Sequence, residues 1–188
     1  MELIKTELND VYIIEPKVFG DHRGWFYETY SYKIMKNLGI DTAFVQDNHS
    51  YSAVKGTLRG LHFQNNPHAQ TKLVRCTKGT ILDVAVDIRK GSPQYKKWIA
   101  VELSADNKRQ LYIPRGFAHG FLTLTDDVEI QYKVDDYYAP DCDRGIRYND
   151  PAIGVEWGDI QPILSRKDTE SPFLQDSDCN FNYSSQEA

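Results

Sequence analysis

The feature that most constrains this chain is its run of short strand-like segments, rich in aromatic or β-branched residues and punctuated by turn residues. Val11–Glu15, Gly24–Tyr30, Ala43–His49 and Thr57–Gln64 open the series. Lys72–Thr77 and Thr80–Ile88 follow, joined at Lys78-Gly79 in what reads as a hairpin. Trp98–Leu103, Arg109–Pro114, Gly120–Thr125 and Val128–Val134 complete it, with Asp126-Asp127 as the turn between the last two. Helical patterning is confined to Tyr32–Leu38, closed by Gly39, and a short stretch around Arg166–Phe173. So many short strands with so little helix predict an all-β sandwich or barrel with a few short peripheral helices. The 188 residues suit one domain, over 1–174, with a polar tail at 175–188 that lacks periodicity and is expected to fray or lie on the surface.

Composition narrows the function. A net charge of −5 argues against nucleic-acid binding, although a phosphorylated small ligand needs only a local cluster of Arg and Lys. No apolar run approaches the ~20 residues of a membrane span. The start, MELIKTELND, is too polar for a signal peptide, so a cytoplasmic location is expected. Cys76, Cys142 and Cys179 are odd in number and far apart, and read as free thiols.

Thr80–Ile88 carries the first chemical hint. Leu82, Val84, Val86 and Ile88 share one face, expected to be core; Ile81, Asp83, Ala85 and Asp87 share the other. Asp87 reads as a solvated acid. Asp83 could instead point into a polar barrel interior, where it would need a partner.

Downstream, Pro114-Arg115-Gly116-Phe117-Ala118-His119 has the spacing P-x-G-x-x-H between two strands. It resembles the second motif of the cupins, small jelly-roll barrels. Their first motif, G-x5-H-x-H-x3–4-E-x6-G, is met here only in part. Gly56 is followed after five residues by His62, but Gln64 replaces the second histidine. Lys72, separated from Gly79 by six residues, stands where the glutamate belongs. A fixed cation repels a metal and offers no lone pair while charged, so the expected barrel is metal-free. Two histidines and a lysine suit removing a proton and stabilising the anion that forms. A lone His or Lys on a strand is more often structural, and only their joint placement on this scaffold raises the reading.

Further blocks make the likeness specific. Phe19-Gly20-Asp21-His22-Arg23-Gly24-Trp25-Phe26, Phe44-Val45-Gln46-Asp47-Asn48-His49-Ser50 and Thr57-Leu58-Arg59-Gly60-Leu61-His62-Phe63-Gln64 resemble, in order, segments of the dTDP-4-dehydrorhamnose 3,5-epimerase family. So do Lys72-Leu73-Val74-Arg75-Cys76, the segment Ile113 to Phe121, Tyr137-Tyr138-Ala139-Pro140, Tyr148-Asn149-Asp150-Pro151 and Ser165-Arg166-Lys167-Asp168.

The resemblance implies a cofactor-independent isomerase acting on a dTDP-linked 4-keto-6-deoxy sugar. The substrate ketone serves as electron sink for loss of the flanking C3 and C5 protons. His62 matches the base, Asp168 its carboxylate partner, Tyr132 the proton donor on the other face of the ring, and Lys72 the cation at the enolate oxygen. Arg59 and His119 match contacts to the sugar and diphosphate, with Asp83 a partner for His119. Arg23, Glu28, Gln46 and Asn48 match nucleotide and substrate contacts, and Phe19 and Tyr138 match packing on the thymine base. Lys167 and Asp143 match binding positions, the latter generally Glu in the family. The resemblance also implies a homodimer with exchanged N-terminal strands. On their own, Asp168 reads as a helix-start or surface acid, Tyr132 as a barrel-lining aromatic and Arg23 as a surface arginine. Alternatives are an epimerase acting at C3 or C5 only or on a related nucleotide-linked keto sugar, a sugar-nucleotide binding module and a metal-dependent cupin oxygenase. Retention of His62, Lys72, Tyr132 and Asp168 together disfavours the second, and Gln64 with Lys72 the third.

Overall fold

A computed structural model describes residues 1–183. In chain order the elements are β1 (Glu2–Lys5), β2 (Tyr12–Glu15), β3 (Phe19–Asp21), β4 (Gly24–Phe26), α1 (Tyr32–Asn37), β5 (Gln46–Ser52), β6 (Leu58–Gln64) and β7 (Lys72–Lys78). They continue as β8 (Thr80–Asp87), β9 (Trp98–Ser104), β10 (Gln110–Ile113), β11 (Phe117–Thr123), β12 (Val128–Val134), β13 (Asp143–Gly145) and α2 (Arg166–Glu170). They build a six-stranded sheet, β1-β2-β10-β7-β12-β5, facing a five-stranded sheet, β13-β6-β11-β8-β9. β3 and β4 form a separate hairpin. The all-β, cupin-like expectation therefore holds. No helix among the described residues is long and apolar enough to cross a membrane.

The Lys78-Gly79 turn is not a hairpin. β7 and β8 do not pair across Lys78-Gly79: β7 lies between β10 and β12, and β8 between β11 and β9. The turn is a corner carrying the chain from one sheet to the other. Gly79 sits at φ +77°, and a Cβ there would come within 2.6 Å of Thr125 Oγ1 and 2.9 Å of Val128. The Asp126-Asp127 turn is a second corner of the same kind, since β11 and β12 also belong to opposite sheets. Alternation specifies a strand and a turn, but not whether the next strand lies beside its predecessor or across from it.

Both faces of the five-stranded sheet are buried. Ile81, Ala85, Leu103, Phe117 and Phe121 meet Val74, Leu111, Ile113, Val128 and Ile130 of the six-stranded sheet, which makes the barrel interior. Val84, Val86, Leu58, Leu61, Phe63 and Leu122 face outward, beneath Ile146, Ile153, Trp157, Leu174, Cys179 and Phe181. On the outer face of the six-stranded sheet, Met35 of α1 and Ile40 pack on Ile14, Leu73 and Tyr112. Leu82, Val84, Val86 and Ile88 thus line the core on the outer face of this sheet rather than the barrel interior.

Two further expectations change. Asp87 is fully buried instead of solvated, bound by Arg89 at 2.8 Å and by the Ser92 hydroxyl at 2.6 Å. A buried carboxylate is tolerated because those partners replace water; removing one partner from such a pair typically costs about 3–5 kcal/mol. The expected surface tail is packed as far as it is described. Cys179 and Phe181 are buried, and Lys90 exchanges backbone hydrogen bonds with Phe181 and Tyr183. The sparse apolar residues there lack strand or helix periodicity, so the sequence does not reveal that they cap an exposed sheet face. Residues 184–188 lie outside the described residues.

Candidate active site

A cleft of about 390 Å3 opens between the sheets. The six-stranded sheet contributes Gln46, Asn48, Lys72 and Tyr132; the five-stranded sheet contributes Arg59, His62, His119 and Asp143. Tyr138, Ser165, Lys167 and Asp168 complete the lining.

Period-two alternation puts Lys72 on the same face of β7 as Val74 and Cys76, and Tyr132 on the same face of β12 as Val128 and Ile130. β6 departs from that rule. Arg59 and His62 are three residues apart, yet both reach the cleft. The pairing with β11 explains it. His62 is opposite His119 and Arg59 opposite Phe121, so three steps on β6 span two on β11, as in a bulge. Gly60 sits at this irregularity with φ +137°, where a Cβ would meet Gly120 Cα at 2.5 Å.

The central contact is His62 Nε2 to Asp168 Oδ1 at 2.6 Å. Asp168 is 2% exposed. Burial pushes its carboxyl pKa up, but hydrogen bonds from His62 and Ser165 outweigh this and hold it below the usual carboxylate range. Ionised Asp168 accepts the Nε2 proton, which leaves Nδ1 as the ring nitrogen not engaged by the carboxylate. Asp168 is also the third residue of α2, and its backbone N–H is capped by Ser165. Asp168 thus lies in the first turn of α2 and hydrogen-bonds His62.

A second imidazole–carboxylate pair lies alongside. His119 Nε2 is 2.7 Å from Asp83 Oδ1, and both residues are buried. Burial pulls the His119 pKa down despite the Asp83 charge. Asp83 Oδ2 is the one buried side-chain polar atom among the described residues without a hydrogen-bond partner.

Lys72 Nζ lies 3.4 Å from the His62 carbonyl. The side chain is part-exposed, but protein crowds it closely enough that burial pulls its pKa down to about 8, with Asp143 and Asp83 opposing the shift. The ammonium therefore stays mostly charged at neutral pH. Burial pushes the Tyr132 phenol up, so it keeps its proton. Tyr132 stands opposite Asn48 on β5, whose Oδ1 accepts from Gln46 at 2.9 Å.

Gln64, in the position of a cupin histidine, uses its amide on the backbone. It donates to the carbonyls of His68 and Tyr137 and accepts from Ala139 N–H, which anchors the loop bearing Tyr138. Among the described residues, no three His, Cys, Asp or Glu side chains gather as a metal-binding group. Asp143 binds Lys167 Nζ at 2.5 Å and the Tyr138 hydroxyl at 3.2 Å, so the shorter acid joins a cleft-wall network.

Three candidates are elsewhere. Phe19 and Arg23 line a separate depression along the β3–β4 hairpin, Arg23 paired with Asp21 at 2.6 Å. Glu28 is exposed and does not line the cleft. Conversely, Ser50, Gln70, Phe121 and Ser165 line it without having been singled out. For Ser165 a signal existed: Ser-x-x-Asp is a helix-start pattern that binds the first residue to the fourth.

The chain is similar to known proteins along nearly its whole length. A profile of dTDP-4-dehydrorhamnose 3,5-epimerase matches residues 5–176. The dTDP-4-dehydrorhamnose 3,5-epimerase of Salmonella typhimurium is 55% identical over 176 residues, 93% of this chain and 96% of that protein. The crystal structure of dTDP-6-deoxy-D-glucose-3,5-epimerase from Legionella pneumophila, in complex with dTDP-4-keto-L-rhamnose, superposes with a TM-score of 0.93 at 45% identity, covering 98% of this chain and 99% of that one. The dTDP-4-dehydrorhamnose 3,5-epimerase of Bacillus anthracis, with TDP and PPi bound, gives 0.89 at 51% identity over 92% and 98%. With the likeness running through nearly the whole length of each, the chain belongs to the dTDP-4-dehydrorhamnose 3,5-epimerase family.

Proposed function

We propose that this chain inverts C3 and C5 of dTDP-4-dehydro-6-deoxy-D-glucose to give dTDP-4-dehydro-L-rhamnose, through enolates and without metal or nucleotide cofactor. The observation that carries the reading is the 2.6 Å His62–Asp168 pair in one cleft with Tyr132 and Lys72. His62 Nδ1 takes the proton from the carbon beside the ketone. Lys72 stabilises the negative charge that moves to the ketone oxygen. Tyr132 returns a proton from the opposite face; the phenolate is then reprotonated from solvent and His62 releases its proton to solvent, which restores both groups. The base stands on the five-stranded sheet and the acid on the six-stranded one, as inversion at a ring between them requires.

Arg59, Lys167 and His119 bind the sugar and diphosphate, and Gln46, Asn48, Asp143 and Tyr138 hold the rest of the nucleotide sugar. Phe19, Arg23 and Glu28 serve the cleft of a second subunit in a homodimer. In support, Phe19 is 55% and Trp25 62% exposed on the hairpin, large apolar groups that a partner would cover. Three free thiols fit a reducing, cytoplasmic compartment.

The test is incubation with the keto sugar in deuterated water after exhaustive chelation. Deuterium should enter C3 and C5 of an inverted product at an unchanged rate, from a protein that sediments at twice the 21.7 kDa chain mass. Deuterium at one position only would make it a single-position epimerase. Loss of turnover restored by one divalent ion would overturn the metal-free mechanism.

Lys72 also sets a pH dependence. Its pKa is lowered to about 8, so the charge is present below that pH and lost above it. kcat/KM should fall on the alkaline side with a midpoint near pH 8. In Lys72→Arg, which stays charged throughout, residual activity should lack that limb. An alkaline limb at the same pH in the variant would assign it to another group.

A further inference from the structure

We propose that Ser165 is a positioning residue that holds the Asp168 carboxylate in the orientation His62 needs; the proposal rests on the reading of His62 as the base. Asp168 is almost wholly buried, so water cannot satisfy its oxygens. Oδ1 receives two donors, His62 Nε2 at 2.6 Å and the Gly60 backbone N–H at 3.3 Å. Oδ2 receives one donor among the described residues, the Ser165 hydroxyl at 2.6 Å. The same hydroxyl oxygen accepts the Asp168 backbone N–H at 3.2 Å. One atom therefore ties down both the main chain and the carboxylate of Asp168.

Removing the hydroxyl leaves Oδ2 a buried carboxylate oxygen with no donor, a costly state that the group relieves by turning about its Cβ–Cγ bond. Turning swings Oδ1 out of line with His62. It also loosens the bond that keeps Nε2 protonated and Nδ1 free for proton transfer. Ser165 lines the cleft itself, so water can follow the displaced carboxylate. Serine is present here for two separable jobs: starting α2, which many small polar residues do, and aiming Asp168, which needs a hydroxyl.

Glycine separates the jobs, because it starts a helix nearly as well as serine and has no hydroxyl. Full-length Ser165→Gly, Ser165→Ala and Ser165→Thr are compared for turnover of the keto sugar. They are also compared for the downfield proton resonance of the short His62–Asp168 hydrogen bond, read without substrate. Both Gly and Ala variants should lose roughly tenfold in kcat, with KM within about twofold of the parent, as expected for a lost hydrogen bond to a charged group beside the reacting centre. In both the resonance should move upfield or broaden, and threonine should restore the parent values. A Gly variant with parental kcat and resonance would reduce Ser165 to a helix start and overturn the proposal, whatever alanine does. The resonance decides the role of Ser165 even if the keto sugar is not turned over; absence of turnover in the parent would count against the epimerase reading instead.

Discussion

His62→Ala should lose solvent exchange at C3 and C5 together, by about 10³-fold or more, while the protein still folds and binds dTDP. The joint loss follows from the assignment of one base, His62 with its Nε2 on the ionised Asp168 carboxylate, to both positions. His119 is not a spare: burial lowers its basicity and Asp83 holds it in the barrel interior. Folding should survive because His62 is part-exposed and belongs to neither core. The measurement is proton NMR in deuterated water with a parallel dTDP titration. Near-parental exchange at C3 with loss at C5 would mean that two bases share the work.

Tyr132→Phe should separate exchange from inversion. The ring and its packing against the barrel core remain, while the phenolic proton is gone. His62 can still remove a proton and return it to the same face, with Lys72 at the enolate oxygen. Exchange with retention should persist, and inversion should fall by roughly 10²–10⁴-fold, the usual contribution of a positioned general acid. The separation is expected because Tyr132 and His62 stand on facing sheets and neither hydrogen-bonds the other. Following deuterium and stereochemistry in one experiment tests it. Equal losses of exchange and inversion would make Tyr132 a substrate-positioning group; undiminished inversion would hand the acid's role to another donor.

These expectations draw on different parts of what the chain makes visible. The strands, the barrel class and the inward faces of β7 and β12 are legible because side-chain direction alternates with a period of two, a purely local property. Alternation makes Tyr132 a barrel-lining aromatic, while motif likeness points to Lys72 and to the role of Tyr132. Motif likeness supplied the pairing of His62 with Asp168, which local pattern could not, since 106 residues separate them.

Other features had no local signature. Whether Gly79 turns a hairpin or a corner depends on which faces can be buried together once both sheets exist. Asp87 looks like a surface acid until Arg89 and Ser92 fold against it. Cys179 and Phe181 look like tail until the outer face of the five-stranded sheet needs a cover. Arg59 and His62 share the cleft through a bulge that β6 acquires only when its backbone meets β11 at Gly60 and Gly120. By itself the sequence determined the elements and the chemistry they carry. Sheet membership, burial of charge and the convergence of distant side chains were decided by tertiary structure, because each depends on the free energy of excluding water from surfaces contributed by remote parts of the chain.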